Sequence, residues 1–144
     1  MTVLRRLRDE ERGSTLLLTI FFGLLSIVLI LVVAAATSLY LERTRLSSVA
    51  DGAALAGAES FALGDVGHVD GVVTAALDDA QVEAAVREHL ALTGEIVELV
   101  RAGTSDERSA TVTLATMWHP PVVGIVLPEG VRIEVTATAR SVFG

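Results

Sequence analysis

Cysteine and lysine are both missing from this 144-residue chain, and each absence removes a class of chemistry. Without cysteine there is neither a disulfide framework nor a thiolate metal site, so an exported domain must hold together by its core alone. Without lysine a Ser-x-x-Lys nucleophile cannot exist, and no nucleophile elbow or glycine-rich phosphate loop after a strand is found either. Positive charge is scarce where nucleic acid would need it. The net charge is −7, and residues 42–144 hold seven arginines against fifteen acidic residues. No basic stripe is left to neutralise phosphates, which argues against nucleic-acid binding.

Charge of any sign is absent from Gly13 to Leu41. Within Leu16–Val33, fifteen of eighteen residues are Leu, Ile, Val or Phe. At roughly −0.3 to −0.6 kcal/mol each, these side chains favour insertion into lipid by several kcal/mol. The uncharged stretch is about 40 Å long as a helix, more than the roughly 30 Å hydrocarbon layer. Thr19 and Ser26 can bond back to the helix backbone, and Gly23 is tolerated in such a segment. A membrane helix over residues 14–41 is expected, after a basic leader over residues 1–13. Four arginines precede the span and two (Arg43, Arg45) follow it closely, which predicts a cytoplasmic N-terminus and an extracytoplasmic C-terminal domain. The competing reading is a secretory signal cleaved after Ala34-Ala35-Ala36, but this apolar run exceeds the 7–15 residues usual in such signals.

No proline interrupts the chain between the span and Ala62, so the helix is expected to continue to about residue 62. Leu46, Val49, Ala50, Ala53, Ala54, Gly57, Ala58 and Phe61 recur at three- and four-residue steps and form one apolar face. That face is mostly small, which allows a sheet or another helix to approach closely. Packing within the chain is its simplest use, and a subunit interface is the alternative. Gly64–Gly71, with three glycines and two aspartates, reads as a loop within an acidic stretch, residues 64–79. Asp78-x-x-Gln81 resembles a capping box and opens a second short helix whose buried face is Val82, Ala85, Val86, His89 and Leu90, with Gly94 at its end.

After Gly94 the period changes to two. Ile96–Ala102 is a strand candidate whose register is ambiguous, because Val97 and Leu99 share a face with Arg101. Gly103–Arg108 is a polar turn, and Ser109–Trp118 alternates. From Val131 to Ala139, apolar residues alternate with Arg132, Glu134, Thr136 and Thr138, a half-buried strand. Between the last two strands, His119-Pro120-Pro121 stops the chain and Val122–Leu127 forms an apolar patch. Residues 42–144 are therefore expected to form one α+β domain: the helix continuation, a second short helix and a small antiparallel sheet of about three strands.

The order Glu11-Arg12-Gly13-Ser14, apolar span, Tyr40-Leu41-Glu42-Arg43, then Leu46-Ser47-Ser48-Val49-Ala50-Asp51-Gly52-Ala53-Ala54-Leu55-Ala56-Gly57-Ala58 resembles the N-terminal region of TadE/TadG-like proteins. These are pilin-like proteins of the tight-adherence (Flp-type) pilus system. The resemblance covers roughly the first 60 residues. It implies a pilin-like fold and a non-enzymatic, minor-pilin-like role in pilus assembly, in a tight-adherence pilus or a related type II/IV secretion system. The partners implied are the membrane, other pilin-like subunits and the assembly platform, with a prepilin peptidase cutting between Gly13 and Ser14. Pilins usually place Glu five residues into the mature helix, and that position here is Leu18. The junction is thus either a processing site or a membrane boundary, and the protein either enters a fibre or stays in the membrane.

No catalytic residue, cofactor, metal or small-molecule substrate is expected. His89 reads as a structural imidazole and His119 as a turn residue. His68 near Asp65 and Asp70 lacks calcium-loop spacing and reads as part of a solvated acidic loop. Glu83 with Glu88, and Asp78 with Asp79, suit a helix start rather than paired catalytic carboxylates. The alternative function is a membrane-anchored extracytoplasmic binding or sensing domain, which would need a concave pocket.

Overall fold

The computed structural model describes residues 2–60, 66–69, 72–75, 77–121 and 129–140, with side chains for 14–60, 77–121 and 129–140. Its elements run α1 (Thr2–Ala58), β1 (Val66–Val69), β2 (Val72–Ala75), α2 (Asp79–Thr93), β3 (Glu98–Thr104), β4 (Ser109–Trp118) and β5 (Val131–Arg140). The arrangement is α+β: a long N-terminal helix, a short second helix and a three-stranded antiparallel sheet. The chain divides into two compact units, Met1–Ser38 and Leu39–Gly144.

In the first unit the described side chains belong to α1. Leu16, Leu17, Ile20, Phe21, Phe22, Leu24, Leu29 and Ile30 are all more than half exposed. Exposed apolar side chains of this density require a nonaqueous surrounding. By length and composition this part of the helix is a candidate membrane span, which fits a transmembrane anchor. Its polar side chains are satisfied locally: the hydroxyls of Thr19, Ser26 and Thr37 donate to the carbonyls of Thr15, Phe22 and Val33, at 2.8, 2.8 and 2.9 Å. A hydroxyl in lipid has no water to bond, so this i−4 pattern removes the cost of carrying one.

In the second unit α1 ends at Ala58, short of the expected continuation to residue 62. The Ser60 N–H and hydroxyl both donate to the Gly57 carbonyl, at 3.3 and 2.7 Å, so the last turn closes there. The stretch read from the sequence as a loop over Gly64–Gly71 is instead partly sheet. β1 and β2 pair antiparallel, Val66 opposite Ala75 and Val69 opposite Val72. Two residues, Asp70-Gly71, separate the strands in sequence, and Asp-Gly is a favoured dipeptide for a two-residue hairpin.

α2 starts where the sequence placed it. Asp78 is its N-cap and accepts from the Ala80 N–H at 3.2 Å. Gly94 ends the helix at φ 67°, a left-handed conformation that costs glycine little, and its N–H donates to the Leu90 carbonyl. Val82, Val86 and Leu90 are buried, while Ala85 and His89 are half-buried.

The larger sheet has the order β3-β4-β5. Its register puts Ala110, Val112 and Leu114 opposite Ala139, Ala137 and Val135 on one face. Thr111 and Thr113 lie opposite Thr138 and Thr136 on the other, with paired hydroxyls 3.1 and 2.9 Å apart. The ambiguity in the first strand is resolved by a bulge. Pairing shifts between Leu99 and Arg101, so Leu99 opposes Leu114 while Arg101 opposes Thr113. The extra residue, Val100, lets Leu99 and Ala102 pack toward the core while Arg101 stays exposed. One core joins the elements: Leu46, Ala50, Ala53, Ala54 and Ala58 from α1, Leu77, Val82, Val86 and Leu90 near or on α2, and Ala110, Val112, Leu114, Ile133 and Ala137 from the sheet.

Candidate functional site

The expected interface residues are on α1. Leu46, Ala50, Ala53, Ala54 and Ala58 are 0–2% exposed, Gly57 is buried, and Val49 packs at the edge of the core. Phe61 lies outside the described residues, as does the patch Val122–Leu127. Within the chain, this face is the seat on which the rest of the domain rests. Small residues set how closely the partners sit. A β-carbon added at Gly57 would stand 3.1 Å from both Ala110 Cβ and Val82 Cγ1, and 3.3 Å from Val86 Cγ2. Sheet and helix thus converge on one glycine, where a larger residue would hold both away.

Three contacts fix the course of α2. Gly57 faces Val82 and Val86, Gly52 faces the His89 imidazole, which a β-carbon added there would meet at 3.3 Å, and Arg45 binds Glu95 at 2.7 Å. As the number on α1 falls, the number on α2 and its following loop rises, so the two helices are antiparallel. The α2 C-terminus and the loop 94–97 therefore lie beside Glu42–Val49, and together these line a shallow cleft. At the other end, the Thr104 N–H donates to the Asp79 carboxylate at 2.7 Å. This pins the start of α2 to an edge strand and occupies a donor that would otherwise be open.

The polar face of the sheet carries a charged group that sequence reading did not single out. Arg132 bridges Glu98 at 2.6 Å and Glu134 at 2.9 Å, across Ala115 of the middle strand. The hydrogen bonds it donates, to Glu98 first and then to Glu134, raise the pKa of the guanidinium above its ordinary value. The signal available in the sequence was the Arg-x-Glu alternation of β5, but Glu98 needed the register of β3. In the turn after β3, Asp106 accepts from the N–H groups of Arg108 and Ser109 and from the Ser109 hydroxyl. Those backbone bonds hold its carboxyl below the usual carboxylate range. Both groups are exposed and structural in geometry. Among the described residues, no three His, Asp or Glu side chains gather as a metal site.

Gly13 and Ser14, the expected processing junction, lie within α1. Ser14 is exposed, and the side chains before it are outside the described residues. The decisive comparison concerns the segment that begins at this junction. Residues 13–60 match the family of putative Flp pilus-assembly TadE/G-like proteins. This TadE/G-like segment spans about a third of the chain, from the junction through the exposed apolar stretch to the end of the small-residue seat. The match suggests a role in pilus assembly. No curated protein and no solved structure matches the chain.

Proposed function

We propose that this chain is a non-enzymatic, minor-pilin-like subunit of a tight-adherence type pilus or related secretion machine. It is held in the cell membrane by residues 14–41, with the N-terminus cytoplasmic and residues 42–144 outside. The observation that carries the reading is the coincidence of the TadE/G-like match with two adjoining surfaces, an exposed apolar helix and a buried alanine-rich one. The first supplies area for lipid and for neighbouring subunits or the assembly platform. The second binds the chain's own sheet, so that the domain and the span share one helix.

Photo-crosslinking tests this. With a photoreactive phenylalanine analogue at Leu24 of the full chain in its native cell, adducts with pilin-like subunits or the platform protein are expected. Adducts with lipid alone would remove the assembly role. Co-expression with a prepilin peptidase and N-terminal sequencing then separates two versions. A new terminus at Ser14 marks a processed subunit, and an intact Met1 marks a membrane-resident one.

A further inference from the structure

Two large apolar residues near the end of α2 are left in the open: Ile96 is 94% exposed and Leu92 is 81% exposed. Both lie in the second unit, and the antiparallel course of α2 fixes their level along α1. Arg45 meets Glu95, so Ile96 is level with residues 44–45. Gly52 meets His89, so Leu92 is level with residues 48–49. The last residues of the uncharged stretch, Leu39, Tyr40 and Leu41, are exposed at 36, 69 and 61%.

Resting on the anchor reading above, we propose that the α2–β3 loop is a second membrane contact, with Ile96 entering the lipid headgroup layer on the side where the span emerges. A tyrosine at the end of a span settles at the interface, which puts Tyr40 at the boundary of hydrocarbon and headgroups. Ile96 lies four to five residues further on, roughly 6–8 Å along the helix axis. The headgroup layer is itself about 5–8 Å thick on each side of the hydrocarbon. Ile96 therefore falls in the outer part of that layer, while Leu92, eight to nine residues beyond Tyr40 and roughly 12–14 Å along the axis, lies outside it. The Arg45–Glu95 ion pair ties the loop to the helix at this level. An isoleucine almost wholly exposed at this depth faces lipid rather than water.

The chain has no cysteine, so single labels can be placed without removing any. Full-length Leu41→Cys, Ile96→Cys, Leu92→Cys and Ser105→Cys would each carry an environment-sensitive fluorophore in phospholipid nanodiscs containing a lipid-borne quencher. All four sites are exposed, and circular dichroism checks that each variant is folded. Ser105 follows Thr104, which is held beside the start of α2, and so reports the far end of the domain. The expected order of quenching is Leu41, then Ile96, then Leu92, with Ser105 at the level of water. Quenching at Leu41 with Ile96 no higher than Ser105 overturns this contact and leaves the anchor standing. No quenching at Leu41 removes the anchor and the contact with it. A blue-shifted label at Ile96 that lipid does not quench means that protein covers the site, and also overturns the proposal.

Discussion

Two glycines on one helix carry opposite expectations. At Gly52 an added methyl would meet only the far end of the His89 ring, which can swing aside. Replacing glycine by alanine in a helix interior gains about 1 kcal/mol, so Gly52→Ala is expected to raise the unfolding midpoint of the full chain in detergent. At Gly57 the same gain is opposed on three sides, one of them the β-carbon of Ala110. Overpacking costs about 1–3 kcal/mol, so Gly57→Ala should be near neutral and Gly57→Leu clearly destabilising by the same denaturation measurement. Asp106 supplies a pH dependence. Its carboxyl titrates below the ordinary value of 3.8 because the turn's N–H groups bond the charged form. Its contribution is therefore full above the unfolded value and is lost as pH falls through the folded one. Asp106→Ala should cost stability at neutral pH, and the gap to the natural chain should close in acid. A gap that is constant with pH would refute the assignment.

At the scale of elements, capping decides where α2 begins. Asp78→Ala removes the acceptor for the Ala80 N–H and should lower stability by about 1 kcal/mol, readable as a lower thermal midpoint. Asp78 and Gly94 were legible in the sequence because each cap is a local device with its own residue type. So were the strands Ser109–Trp118 and Val131–Arg140, where burial on one face imposes a period of two. Three features were not. The Val66–Ala75 hairpin hid inside a stretch whose glycines and aspartates outweighed its valines. The bulge at Val100 changes the phase of a strand midway, which no single period can describe. The end of α1 at Ala58 is set by bonds from Ser60 that leave no periodic trace. The small-residue face of α1 was legible as a surface, but its neighbours were not. That Gly57 meets both α2 and β4 depends on pairings far apart in the chain.

For the whole molecule, the apolar stretch dominates behaviour. The full chain is expected to stay with membranes after alkaline carbonate extraction, because fourteen of the fifteen large apolar residues within Leu16–Val33 are exposed. Protease added to spheroplasts should remove the domain and spare the span if the N-terminus is cytoplasmic; protection of the domain would reverse the orientation.

The antiparallel seating of α2 along α1 also has a mechanical meaning. A tug on α1 along its axis loads Arg45–Glu95, Gly52–His89 and Gly57–Val82 side by side instead of one after another. Joints stressed in that direction fail together, at higher force than joints peeled apart in turn. Pulled along α1, the domain would thus stay folded until the whole seam sheared at once.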